Sequence, residues 1–268
     1  EIIVEGGESR LMALFKGQNL EKIGPVRSSR HYFLDYALEN DAIYVHYGWS
    51  PQAQYDISNL GVNNINGISE SESSFWRVKD KRAPHNVATS TAKILSIAER
   101  KGYKTTSTKE SVLKYVTDEV ELTDGQSAEK ITIPYSYSND VEYTYDATTK
   151  RYQRYSKGVK ETDWSTGENI TTKNIIITFA KNSVLNDGEN KDRQTLSNIG
   201  TLNGYYITNG KAIKITCEKT SRSAQTVYKD LDGNEIKVND GNTYVQICPI
   251  NAKVTIEGAE ETVTEDVD

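Results

Sequence analysis

Arginine and histidine side chains occur where predicted elements begin and end in the first part of the chain. Residues 24–30 (GPVRSSR) place Arg27 and Arg30 at the start of a predicted helix. A helix start presents unpaired backbone N–H groups and the positive end of the helix dipole. Backbone donors together with guanidinium groups are typical of an anion-binding site. The spacing therefore predicts an anion site in this region.

The three histidines, His31, His46 and His85, also lie in this part of the chain. His46 is near the carboxyl end of a predicted strand, where parallel α/β sheets bind ligands. His85 lies in a predicted loop of residues 81–86 (KRAPHN), and residues 75–77 (FWR) supply a further cation. We expect these groups to converge on one pocket. The predicted ligand-binding residues are Arg10, Arg27, Arg30, His46, Arg77, Arg82, His85 and Asn86.

Structural roles are open alternatives for the same residues. Arginine at a helix N-terminus opposes the dipole, so helix stabilisation alone does not explain Arg27 and Arg30. Both could still pair with a carboxylate such as Glu5, Glu8 or Asp35. In the same way, His46 could be a hydrogen-bonded core residue.

Other chemistries lack their signatures. There is no glycine-rich phosphate loop, no Gly-x-Ser-x-Gly elbow and no recognised metal-ligand spacing, so we predict no cofactor and no metal. No catalytic residue can be assigned. The two cysteines, Cys217 and Cys248, fall in predicted strands without a nearby histidine, which favours buried thiols over a disulfide or a nucleophile.

The first part of the chain alternates strand and helix patterns. Residues 10–16 and 42–47 are predicted strands, and residues 31–39 between them are a predicted helix with Ser28 or Ser29 as its N-cap. This order of elements is a βαβ unit, so we expect the two strands to be parallel. Further helices are predicted over 51–60, from Thr89 or Ser90 to about residue 100, and over 107–116.

Beyond about residue 119 the pattern changes to alternation with a period of two, as in 131–135 and 141–145, and turn dipeptides separate the apolar runs. The predicted fold is therefore a two-domain α+β protein. An N-terminal α/β domain with a partly parallel sheet (1–120) precedes an antiparallel β-rich domain (121–258), and an acidic tail follows (259–268). We place the domain junction between 116 and 131.

The overall charge narrows the choice of partners. The 268 residues carry 32 Lys and Arg against 38 Asp and Glu, a net charge of −6. Such a chain has no general attraction to nucleic acid or to an anionic membrane, so an anion must be bound by a local patch. No segment is apolar for the roughly 20 residues of a membrane span. The chain opens in what reads as the end of a strand, which suggests a trimmed product.

Several motifs together resemble one family. Residues 4–10 (VEGGESR), 24–30 (GPVRSSR), 46–50 (HYGWS) and 82–86 (RAPHN) are similar to the YerB family, as are 141–146, 152–154 and 232–236 in the second domain. These are lipoproteins of Gram-positive bacteria built from two domains of unknown function. The resemblance implies export and tethering to the cell membrane by a lipid on an N-terminal cysteine, hence an extracytoplasmic location in the cell envelope. It supplies no catalytic residues.

Two functional hypotheses follow. The first is a non-catalytic envelope lipoprotein that binds an anionic ligand or a cell-wall assembly partner: an anionic small molecule, a wall polymer or an envelope protein. The alternative is a hydrolase acting on an anionic wall polymer, with His46 or His85 as general acid or base. A histidine hydrogen-bonded to a carboxylate in a cleft with Arg27 and Arg30 would favour the hydrolase.

Overall fold

The computed structural model describes residues 1–257 and 259–261, which form two compact units. The α/β unit contains Met12–Ser111 and the short segment Arg222–Gln225. The β unit contains Glu1–Leu11, Val112–Ser221 and the described residues from Thr226 onward.

The limits of the compact units differ from the predicted domain limits at both the start and the end of the first domain. The first eleven residues belong to the β unit, where Ile2 pairs in parallel with Ile247. The change of unit falls between Ser111 and Val112, before the predicted interval of 116–131. A pairing partner more than 240 residues away leaves no local signal. Of the predicted acidic tail, Ala259–Glu260 form a strand, whereas residues 262–268 lie outside the described residues.

The helices and strands have the following bounds. The α-helices are α1 (Phe33–Glu39), α2 (Pro51–Asn59) and α3 (Thr91–Arg100). The strands are β1 (Ile2–Ile3), β2 (Ser9–Arg10), β3 (Tyr44–His46), β4 (Asn64–Asn66), β5 (Trp76–Arg77), β6 (Val87–Ala88), β7 (Tyr115–Val116), β8 (Gln126–Ser127), β9 (Lys130–Ser136), β10 (Asn139–Asp146), β11 (Arg151–Ser156), β12 (Val159–Lys160), β13 (Thr171–Thr172), β14 (Asn174–Val184), β15 (Gln194–Ser197), β16 (Gly200–Thr208), β17 (Lys211–Lys219), β18 (Val227–Asp230), β19 (Val238–Asn239), β20 (Thr243–Pro249), β21 (Thr255–Ile256) and β22 (Ala259–Glu260).

In the α/β unit, β3 and β4 pair in parallel and α2 is the helix between them. The Ser50 hydroxyl accepts a hydrogen bond from the backbone N–H of Ala53, and Pro51 occupies the first turn of α2. Ser90 caps α3 in the same way, through Lys93. The predictions of these two helices are confirmed because their capping signals are local.

Three predictions for the first part of the chain were wrong. Residues 10–16 form no continuous strand: only Ser9–Arg10 is extended and paired, and Leu14 and Phe15 are exposed. The parallel partner of β3 is therefore β4. Helix α1 begins after Tyr32, with no side-chain cap from Ser28 or Ser29. Residues 107–116 contain no helix, since an apolar periodicity over so short a run does not decide between helix and coil.

The β unit is built on two sheets. The larger has the order β18-β17-β16-β14-β20-β1-β2, and the smaller has the order β12-β11-β10-β9-β21-β22. Most neighbours are antiparallel, as predicted, but β20 runs parallel to β14 and to β1. Apolar side chains from both sheets, such as Ile133, Tyr143, Ile177 and Phe179, form one buried core cluster.

The central strand β14 is apolar on both faces. Ile175 and Ile177 pack into the core shared with the smaller sheet, while Ile176 packs into a second cluster with Tyr206 and Cys217. A strand buried on both faces requires a continuous apolar run rather than alternation. Both cysteines are buried free thiols in this unit.

Candidate anion-binding site

A backbone scaffold lies beside the carboxyl ends of β3 and β4. The N–H of Tyr47 donates to the carbonyl of Arg27 (2.9 Å), and the N–H of Ser29 donates to the carbonyl of Gly48 (2.9 Å). Gly48 has φ of +82° and donates its own N–H to the side-chain oxygen of Asn66 (2.9 Å). These bonds hold the arginine-bearing segment against the end of β3.

A hairpin continues this scaffold. Strands β5 and β6 pair antiparallel, and the N–H of Val26 donates to the carbonyl of Val87 in β6 (2.8 Å). At the base of the hairpin, Asn86 donates its side-chain amide to the carbonyl of Val78 (3.2 Å). The loop of residues 79–85 (KDKRAPH), which we call the basic loop, projects from this base.

Two arginines are bonded to the basic loop and its base. Arg27 donates from Nη1 to the carbonyl of Pro84 (2.8 Å), and Arg77 donates from Nη1 to Oδ1 of Asn86 (2.7 Å). The guanidinium carbon of Arg77 also lies 5.7 Å from the centroid of the Tyr47 ring, a cation–π distance. Both guanidinium groups are therefore held in place before any ligand arrives.

The charge of this region is strongly positive for a chain of net charge −6. In the sequence, the basic loop carries one carboxylate, Asp80, while the loop and the two arginines bonded to it and its base carry five cations: Arg27, Arg77, Lys79, Lys81 and Arg82. The side chains of Arg77, Lys79, Arg82 and His85 are exposed. Like charges gathered in this way repel one another and favour the binding of an anion.

The structure thus brings five of the eight predicted residues together and places the other three elsewhere. His46 is 1% exposed; its Nδ1 donates to the carbonyl of Gly48 (2.8 Å), and its Nε2 faces the side-chain amide of Asn64 (3.1 Å). Burial lowers the pKa of His46. Both ring nitrogens of His46 contact protein groups, and no carboxylate within residues 1–257 and 259–261 is bonded to it, so His46 is a core histidine.

Arg30 and Arg10 are also outside the basic-loop region. Arg30 is buried and donates to the carbonyl of Ser29 (2.7 Å). Arg10 belongs to the β unit, where its guanidinium lies 4.0 Å from the carboxylate of Glu5.

A second charged cluster in the α/β unit was absent from the sequence predictions. Arg222 bonds through Nε to Asp35 of α1 (2.6 Å) and through Nη1 to Asp56 of α2 (2.6 Å), and donates to the carbonyl of His31 (2.9 Å). Both carboxylates are almost fully buried. Burial lowers the pKa of His31 to about 4; the Asp56 carboxylate opposes this shift, whereas the cations Arg222 and Arg30 act in the same direction as burial.

Sequence reasoning also missed two contributors to the basic-loop region. Tyr47 belongs to the motif of residues 46–50, but no pattern in the neighbouring sequence predicts its contact with Arg77. Lys79 lies beside the cations of the basic loop in the sequence, and the density of positive charge there would have been enough to include it in the prediction.

Within residues 1–257 and 259–261, no group of three or more His, Cys, Asp or Glu side chains is arranged to hold a metal ion. In the same residues, no helix has the length and apolar character that crossing a bilayer requires.

The fold defines a two-domain α+β protein whose first domain carries a preformed cationic loop. Residues 1–104 match the N-terminal domain, and residues 131–245 the C-terminal domain, of the family described as "Protein of unknown function (DUF3048)". The chain is 31% identical to "Putative lipoprotein YerB" of Bacillus subtilis (strain 168), over 93% of this chain and 73% of the relative. The crystal structure of the YerB protein from Bacillus subtilis has a TM-score of 0.82 at 29% identity, covering 94% of this chain and 84% of that one. The chain belongs to the YerB-like family.

Proposed function

We propose that this protein binds an anionic ligand at the basic loop and performs no chemistry on it. The observation that carries the proposal is the fixed position of Arg27 and Arg77, bonded at Pro84 and Asn86. Binding costs less side-chain entropy when the guanidinium groups of the protein are already ordered than when the ligand must order them.

The surroundings of the histidines support binding over hydrolysis. A general acid or base must reach the reacting atom, and His46 is buried between Gly48 and Asn64. His85 is exposed on the basic loop, and its side chain has no carboxylate bonded to it among the described residues. Among the described residues, neither histidine has the carboxylate partner that would support the hydrolase alternative.

The name of the relative supports a location at the cell membrane. "Putative lipoprotein YerB" suggests that the present protein, too, is held at the outer face of the cell membrane by a lipid. The ligand would then be an anionic envelope component: a small molecule, a wall polymer or an acidic surface of an envelope protein. Protease accessibility in intact cells of the source organism tests the location, and a protected protein would contradict it.

The binding proposal is tested by titrating a short inorganic polyphosphate chain and following heat release and thermal unfolding. We expect binding that weakens as salt rises from about 50 mM to about 300 mM, because exposed charges are screened. Arg27→Ala and Arg77→Ala should each weaken it by about tenfold, which corresponds to ~1.4 kcal/mol.

Arg100→Ala is the matched control, because Arg100 is an exposed arginine of the same unit that pairs with Glu70 at the end of α3. It should bind polyphosphate as the wild type does. Absence of binding at millimolar concentration, or equal losses in all three variants, would overturn the proposal.

A further inference from the structure

Arg77 is held in place by groups that carry no charge. Its Nη1 donates to Oδ1 of Asn86 (2.7 Å), and its guanidinium carbon lies 5.7 Å from the centroid of the Tyr47 ring. Asn86 is buried and is itself fixed by its bond to the carbonyl of Val78 (3.2 Å). The Tyr47 ring packs against the buried ring of Phe75, with 6.2 Å between their centroids. The amide and the ring therefore fix the guanidinium group without neutralising its charge.

Other arginines of the chain are held by carboxylates. Arg100 pairs with Glu70 at the end of α3, and Arg222 bonds to Asp35 of α1. Arg77, by contrast, has no carboxylate partner among the described residues. An ion pair within the protein therefore does not account for the fixed position of Arg77, and its charge is left to attract an anion.

The bond to Asn86 uses only one corner of the guanidinium group. Nε and Nη2 of Arg77 donate to no group within residues 1–257 and 259–261, and the side chain is exposed. The N–H bonds of these two nitrogens run in parallel along one edge of the planar group, where they can meet two oxygens of one anion. This edge of Arg77 is therefore accessible for a two-point contact with a ligand.

A second arginine is bonded at the same end of the basic loop. Arg27 donates to the carbonyl of Pro84, two residues before Asn86, and two residues of backbone span at most about 7 Å. A carboxylate or a phosphodiester has two charged oxygens, and the edge of one arginine uses both. A phosphate monoester has three such oxygens and close to two negative charges, so one oxygen remains for a neighbouring cation.

We propose that Arg77 recognises a phosphate monoester group through the edge formed by Nε and Nη2. Two phosphate oxygens accept from these nitrogens, and the third faces the neighbouring cations, among them Arg27. Asn86 and Tyr47 are positioning residues, which orient the guanidinium group. The inference rests on the anion-binding function proposed above and adds the class of anion and the atoms that select it.

The probes are three small anions: methyl phosphate, dimethyl phosphate and acetate. Each is titrated into the protein and followed by NMR of the backbone amides and of the arginine Nε–H groups. We expect a Kd on the order of 1 mM for methyl phosphate and binding at least about tenfold weaker for the other two. The Nε–H signal of Arg77, identified by its loss in Arg77→Lys, should shift only when methyl phosphate binds.

Arg77→Lys separates recognition by the edge from attraction by charge. Lysine keeps the charge but has no pair of parallel N–H donors, so methyl phosphate should bind about tenfold more weakly. The change of Kd with salt should stay that of the wild type, because the charge is unchanged. Arg100→Lys is the matched control, because it makes the same exchange at an exposed arginine of the same unit, and it should bind as the wild type does.

Tyr47 is tested by two substitutions. Tyr47→Phe keeps the aromatic face, so it should bind methyl phosphate as the wild type does and leave the Nε–H signal of Arg77 in place. Tyr47→Leu removes that face, so it should weaken binding by about threefold and move the same signal even without ligand. An Arg77 signal that is equal in both variants would show that Tyr47 has no positioning role.

Four results would overturn the proposal: no binding of methyl phosphate at about 10 mM, equal binding by wild type and Arg77→Lys, acetate or dimethyl phosphate binding as tightly as methyl phosphate, or an Arg77 Nε–H signal that stays fixed while amides of the basic loop shift. Each of these is compatible with salt-sensitive binding of polyphosphate, which would leave the anion-binding function standing. Absence of polyphosphate binding would overturn that function and this inference together.

Discussion

Arg222 and Asp35 form an ion pair of 2.6 Å although 187 residues separate them in the chain. The same guanidinium bonds Asp56, so one cation neutralises two buried carboxylates on two different helices. Removing Arg222 would take this cation away from two buried carboxylates, of which Asp56 would still accept a hydrogen bond from the Gln52 amide (2.7 Å). Arg222 is therefore a structural residue of the α/β unit.

Arg222→Ala should lower the free energy of unfolding of the α/β unit by about 3 kcal/mol. This is the lower end of the range for breaking a buried pair, since Arg222 itself is 32% exposed. Denaturant unfolding combined with hydrogen exchange in α1 and α2 measures the loss. Arg100→Ala is the control, because the pair of this exposed arginine with Glu70 lies in the same unit and should contribute less than about 1 kcal/mol. Equal losses in the two variants would contradict the prediction.

Ser29→Ala should stabilise the protein by roughly 1 kcal/mol. The Ser29 hydroxyl is fully buried and has no hydrogen-bond partner among the described residues, so folding removes its water without replacement. Thermal unfolding measures the gain. The neighbouring Ser28 donates to the carbonyl of Tyr47 (3.1 Å), so Ser28→Ala should destabilise by about 1 kcal/mol. A destabilising Ser29→Ala would indicate a bound water or ligand at that hydroxyl.

Acidification should destabilise the protein through His31. Its pKa falls from 6.5 to about 4 on folding, mainly because of burial. The unfolded state therefore takes up the proton first, and the contribution of neutral His31 to stability is lost as the pH falls from 6.5 towards 4. NMR titration of the ring measures the pKa directly. Arg222→Ala removes one neighbouring cation and should raise this pKa, and a His31 that titrates near 6.5 in the wild type would refute the prediction.

Both cysteines should resist modification in the native protein. Cys217 lies 3.2 Å from the Thr178 hydroxyl, and burial raises the pKa of its thiol to about 12. Burial also raises the pKa of Cys248. The thiolate is the reactive form, so labelling by a thiol reagent at neutral pH should occur only at the rate of unfolding. Rapid labelling of the folded protein would contradict this.

The local features of this protein could be predicted from its sequence. Ser50 with Pro51, and Ser90, mark helix starts whose hydrogen bonds close within three residues. The apolar run of β14 and the period-two alternation around it indicated a β-rich second domain. Each of these signals arises between neighbours in the chain, so no tertiary information was needed.

Tertiary structure alone decided which residues meet. The apolar segment 10–16 resembled a strand but found no partner, because β4 lies beside β3. Predicted cations divided between the basic loop, the interior and the β unit, since charge in a sequence does not say where a side chain points. The bonds of Arg77 to Asn86 and of Arg222 to Asp35 depend on chain segments brought together by packing. Local patterns thus determined the capped helices and the β-rich second domain, and long-range pairing determined the remaining elements and the site.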